Sequence, residues 1–298
     1  MVTAIEPQPR SLRGLGGVLS ANAAAWSATR LLSIALPWFV LSTTGSATQT
    51  GLVVFCQMGP YVVSQVLSGP LIDRIGPKRI SVACDVTAMV AMGAAPLLYL
   101  SGALQLWVLM ALMAVVGAAD GPSNAAKGVF VPSATRAARM SLERGTGLTG
   151  AVERTATTAG PAIAGVVIAA FGSVYALWAA AALFGFGALI VATTLTNPIP
   201  EEHLEPTEGY VRQFREGANF LRNEGLLRAI VGMVAVTNLL DQAFIAVLLP
   251  VWAKASGHGP EAVGLVVSVF AAASIIASLA AAAARTASLA VPSISSGS

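Results

Sequence analysis

A chain of 298 residues that is 55% hydrophobic and only 10% charged has too little polar surface to stay dissolved in water, where an ordinary domain carries about 25% charged residues. Lipid is the natural solvent for such a composition. The net charge of +3 forms no basic face of the kind a nucleic-acid partner needs, and the two cysteines, Cys56 and Cys84, have neither disulfide nor metal-ligand spacing.

Residues 1–17 are polar and lack an early apolar run with a cleavage site, so they read as a retained tail. Eight apolar segments follow, at about 18–42, 50–71, 80–101, 104–126, 147–171, 174–196, 227–250 and 262–284. Each is near the roughly 20 residues that a helix needs to cross the hydrocarbon core, and none alternates as a barrel strand does. The pattern predicts an all-α integral membrane protein whose partner is the lipid bilayer. Basic residues sort by side. With the N-terminus cytoplasmic, the inner regions hold Arg10, Arg13, Arg74, Lys78, Arg79, Arg136, Arg139, Arg144, Arg212, Arg215, Arg222, Arg228 and Arg285, with Lys127 at an inner helix end, whereas the outer loops hold Lys254 alone.

In the first span, Arg30 lies about 18 Å from the cytoplasmic start at the usual helical rise, which is near the middle of the bilayer. Between the second and third spans comes "SGPLIDRIGPKRI", residues 68–80, where Asp73, Arg74, Lys78 and Arg79 are framed by Gly69 and Gly76. Positive-inside topology explains the bases but not the regular frame of glycine, acid and glycine. Asp85 follows near the inner end of the third span and is expected to join the same charge network.

"GPLIDRIGPKR" resembles the signature of the major facilitator superfamily in motif and in position. Gly69, Leu71, Asp73, Arg74, Gly76, Lys78 and Arg79 match, and Pro77 replaces a customary base. The resemblance implies a helical bundle of the major-facilitator type, here with about eight transmembrane helices. It also implies a conformational latch made by Gly69, Asp73, Arg74, Gly76, Lys78 and Arg79, with Asp85 beside them, that closes and releases the cytoplasmic side. A contact of this kind between partly dehydrated charges is bistable rather than strongly stabilising.

Asp120 lies toward the inner side of the fourth span. The arginine that many antiporters of the family carry there is absent from "LMALMAVVGAADG". In the fifth span, "TTAGPAIAG" is similar to the antiporter motif of the exporting branches at Gly160, Pro161 and Gly165. A simple packing kink at Gly-Pro is the competing reading. Glu153 and Arg154, adjacent in the same span, point about 100° apart and are expected to find structural partners on neighbouring helices rather than substrate.

The resemblance divides the chain into a tail (1–17), a six-helix half (18–196), a cytoplasmic loop (197–226), two helices of an incomplete second half (227–284) and a tail (285–298). The loop opens with Pro198, Pro200 and Pro206, then places Val211, Phe214, Ala218 and Leu221 on one helical face, as an interfacial helix would. Asp241 in the seventh span lies about 21 Å from its cytoplasmic start, beside Asn238 and Gln242. In the family, spans one, four and seven line the central cavity. Arg30, Asp120, Asn238, Asp241 and Gln242 are therefore the candidates for substrate or proton binding. A structural ion pair locking two helices is the alternative, since charges within a membrane serve both ends.

His203 and His258 lie in loops without a ligand constellation, and no metal site, cofactor motif, nucleotide loop or catalytic pairing is visible. The stretches "RLLSIALPWFVLSTTGSATQTGLV" and "FREGANFLRNEGLLRAI" are similar to exporters of the macrolide-drug and enterobactin-siderophore types. The expected function is proton-coupled export of small amphipathic molecules across the cell membrane. Because "AAAARTASLAVPSISSGS" does not repeat the signature after the eighth span, a truncated member, impaired in transport, is expected. The alternative is a non-transporting remnant or assembly partner. Labelling of cysteines introduced at Arg74 and Arg212 in intact cells is expected only with a membrane-permeant reagent; labelling from outside would reverse the topology.

Overall fold

A computed structural model describes residues 12–196, 219–220, 222 and 224–289. Val211, Phe214, Ala218 and Leu221, the face proposed for an interfacial helix, lie outside the described residues, as does His203. Eight helices are long and apolar enough to cross a membrane. In chain order they are α1 (Leu12–Thr44), α2 (Ala47–Ile75), α3 (Pro77–Leu100), α4 (Leu106–Ala137), α5 (Leu142–Phe171), α6 (Ser173–Thr194), α7 (Gly225–Ala255) and α8 (Pro260–Leu289). Each of the eight apolar segments falls on one of them, and no strand occurs among the described residues. Helices satisfy their own backbone groups, which is what a medium without water demands.

The charged stretch between the second and third spans is almost entirely helical. α2 runs through Asp73 and Arg74, α3 opens with Pro77, Lys78 and Arg79, and the whole connection is Gly76. Gly76 has φ +93°, a region that side chains with a Cβ rarely adopt, and its N–H donates to the Ile72 carbonyl at 2.8 Å. Pro77 then needs no N–H partner at the first position of α3. At the opposite end of the bundle, Gly172 joins α5 to α6 in the same manner, with φ +89° and a 2.8 Å bond to the Ile168 carbonyl. The second and third helices of each successive trio thus share one hinge geometry at opposite ends, as inverted repeats do.

Packing follows the small residues. α2 lies along α4, α1 along α6 and α5, α3 against α4 and α6, and α8 against α5. On α4, Gly117 and Gly121 sit one turn apart facing α2. A Cβ at Gly117 would overlap the Gln57 carbonyl oxygen, and one at Gly121 would come within 2.7 Å of the Tyr61 carbonyl oxygen. These glycines bring two backbones together where lipid provides no hydrophobic drive and dispersion must hold the helices. Phe39, Met92, Met113, Leu177 and Phe184 fill the centre of the bundle, buried from four helices.

α7 is divided along its length. None of its residues from Gly225 to Ala243 is buried. It then widens into a π-helical turn at Phe244–Leu248, where the Leu249 N–H reaches back to the Phe244 carbonyl, just before Pro250. Pro250 has no N–H to offer the preceding turn, and a wide turn accommodates that loss. Beyond it Leu249, Pro250 and Ala253 are buried, and Lys254 Nζ donates to the Leu41 carbonyl near the end of α1 at 2.7 Å. α7 therefore closes on the bundle at one end and stands away from it at the other.

Replacing Gly117 by Val should cost stability on the order of 3 kcal/mol, because the obstacle is backbone rather than a movable side chain. Gly147→Ala, where a Cβ would meet nothing within 4 Å, should instead stabilise by up to about 1 kcal/mol. Unfolding midpoints of the two purified variants in detergent check the contrast.

Candidate transport cavity

Helical periodicity decides which α1 and α4 side chains meet. On α1, Asn22, Trp26, Arg30 and Ser33 recur at helical spacing along one stripe; on α4, Gly117, Asp120 and Asn124 form the facing stripe. The resulting space has two compartments. The first, of about 220 Å³, is lined by Arg30 and Ser33 of α1, Gln57 and Tyr61 of α2, Asp120 of α4 and Gln242 of α7. The second, of about 340 Å³, is lined by Asn22 and Trp26 of α1, Gln65 of α2, Asn124 of α4, and Thr149 and Glu153 of α5. Thr29, Arg30 and Tyr61 border both.

Asp120 is 5% exposed, and Asn124, one turn on, donates its side-chain amide to the Asp120 carboxylate at 3.2 Å. Gln242 reaches the same compartment from just before the π-helical turn of α7, and its side-chain nitrogen lies 3.7 Å from the Met58 sulfur. Three of the five residues expected in a cavity therefore share one compartment: Arg30, Asp120 and Gln242. Asn238 and Asp241 are exposed on the unburied part of α7 and are not among its lining residues. Asp241 directly precedes Gln242, so it points about 100° away around the helix.

Asp85 meets a different partner from the one expected. It is 1% exposed on α3, and Lys127 Nζ of α4 lies 2.9 Å and 2.8 Å from its two carboxylate oxygens. Ser123, one turn before Lys127, donates its hydroxyl to the carboxylate at 2.5 Å and accepts from Lys127 at 2.6 Å. Asp85 and Lys127 form an ion pair shut away from the surface. Asp73, Arg74 and Arg79 are exposed around the Gly76 hinge, and Lys78 is half-buried. The sequence held one signal for the pair: two isolated charges in adjacent apolar spans, each of which needs a partner away from water. Lys127 instead reads from the sequence as one more inner-side base.

The Gly-Pro stretch of α5 sits between two neighbours. A Cβ at Gly160 would stand 2.8 Å from the Cβ of Arg30, so this glycine lets α5 lie directly against the arginine's stem. Five residues on, a Cβ at Gly165 would stand 2.8 Å from the Pro260 carbonyl oxygen of α8. Pro161 cannot donate a helical hydrogen bond, and the next amide, Ala162 N–H, bonds across to Ser268 Oγ of α8 at 2.9 Å. The segment thus joins α8 to the helix that carries Arg30.

Removing one member of a buried pair strands a charge, at a cost of about 3–5 kcal/mol, whereas removing both often costs little. Asp85→Asn and Lys127→Met should each lower the unfolding midpoint sharply in detergent, and the double variant should recover most of the loss. Additive losses would show that the two charges act separately.

Residues 18–291 match the Major Facilitator Superfamily. The proteins named multidrug efflux pump Tap in Mycobacterium tuberculosis and Mycobacterium bovis are each 33% identical to the chain over 209 residues, which cover 68% of this chain and 49% of the relative. The Mycolicibacterium fortuitum protein of the same name is 28% identical over 225 residues, covering 73% of this chain and 55% of the relative. The chain spans about half the length of the curated relatives it matches. Eight apolar helices, a glycine-hinged charge signature and a family match over nearly the whole length make this multi-pass membrane chain a member of the major facilitator superfamily.

Proposed function

We propose that the chain carries the substrate-binding half of a secondary active exporter that moves small amphipathic molecules outward across the plasma membrane, with protons as the coupling ion and the N-terminus in the cytoplasm. The observation that carries this reading is the convergence of Arg30, Asp120 and Gln242 from three helices on one cavity inside an apolar bundle. A buried carboxylate is the natural proton carrier of such a site, because losing or gaining a proton changes the cost of its burial. The relatives' description as multidrug efflux pumps supports export of drug-like molecules. Asp73, Arg74, Lys78 and Arg79 then act as the latch on the Gly76 hinge. The charges of Asp73, Arg74 and Arg79 are exposed at the junction of two helix ends, where a moving partner can engage and release them.

The uncovered length of α7, Gly225–Ala243, favours a second reading, in which the chain is an assembly partner that does not transport alone. Vesicles containing the purified chain, given an imposed proton gradient and ethidium, separate the two. Ethidium-dependent proton movement that falls at least about tenfold in Asp120→Asn supports the exporter. Movement that is indifferent to this substitution removes Asp120 as the proton carrier. No movement with the unaltered chain leaves the assembly partner.

A further inference from the structure

We propose that Glu153, together with Trp26 and Tyr61, forms a subsite for the positively charged head of an amphipathic organic cation. The inference rests on the exporter reading and names the substrate class of the same cavity. From the sequence, Glu153 reads as a structural residue bound to a neighbouring helix. The structure puts it elsewhere: it is exposed and lines the second compartment, across from the α1 and α2 residues. Glu153 is not a member of the buried Asp85–Lys127 pair.

The compartments' charges favour a cation. Arg30 is the single base bordering them, shared by both, while Asp120 lines the first and Glu153 the second. With both carboxylates ionised, one base faces two acids, and the carboxylate left without a counter-charge attracts a positive ligand. Aromatic residues reinforce that preference. Trp26 lines the Glu153 compartment and Tyr61 borders both, and aromatic faces attract quaternary or protonated amines, most strongly where water is excluded. Asn22, Gln65 and Thr149 add neutral hydrogen-bonding groups that do not repel a cation. There is also room: a Cβ at Gly128, in the wall of this compartment, would meet nothing within 4 Å. Arg154, about 100° further around α5, is not part of the lining, so no second base opposes the site.

Calorimetric titration of the purified full chain in detergent with two probes tests the subsite: ethidium, a planar monovalent cation, and chloramphenicol, which is uncharged. Glu153→Gln should weaken ethidium binding at least about tenfold more than it weakens chloramphenicol binding, and Glu153→Asp should restore much of the difference. Trp26→Leu should weaken ethidium in the same direction. Equal effects of Glu153→Gln on both probes, or no effect on ethidium, overturn the subsite. If the unaltered chain binds chloramphenicol but not ethidium, the subsite falls and the exporter reading stands. If it binds neither, both fall.

Discussion

Inside a bilayer no water is available to complete a hydrogen bond or solvate a charge, so backbone groups above all must find their partners within the protein. Backbone groups do so by remaining helical almost to the point of reversal. Two of the connections are reduced to one glycine each, at Gly76 and Gly172, because a positive φ reverses the chain while the preceding helix keeps its last hydrogen bond. The same scarcity explains the glycines of α4. Where lipid tails are as apolar as leucine, association depends on close contact, and Gly117 and Gly121 let α2 approach to backbone distance.

Charges obey the constraint in three distinct ways. Asp85 and Lys127 neutralise each other between α3 and α4, with Ser123 completing the set, and so fix how these helices are rotated. Arg30, Asp120 and Glu153 face internal spaces. Asp73, Arg74 and Arg79 are exposed at the end of the bundle. The first group suits permanence, since parting a buried pair is costly, and the last suits exchange of partners, since exposed pairs are weak. The middle group borders the two compartments between the helices.

α7 passes through two different surroundings along its length. Its far end is anchored by Leu249, Ala253 and the Lys254 bond to α1, while its first nineteen residues are unburied. The π-helical turn lies between the two regimes and delivers Gln242, just ahead of it, to the cavity. Rocking of helix groups around a fixed site is the general way in which transporters built from such repeats alternate access. In α5, the Gly160–Gly165 stretch makes a comparable link, with Arg30 on one side and α8 on the other.

The amino-acid sequence by itself determined the membrane class, the eight spans, the family and the hinge at Gly76, because length, apolarity and a glycine-framed motif are local properties. It also placed Arg30, Asp120 and Gln242 within their spans. Only the tertiary structure decided which helices stand side by side and how each is turned. That is why Asp85 pairs with Lys127 rather than with the hinge charges, why Glu153 faces a cavity, and why Asn238 and Asp241 lie outside the lining that holds Gln242. Helical periodicity tells which residues share a face, but a face has no identity until a neighbouring helix, chosen by packing across distant parts of the chain, covers it or leaves it open.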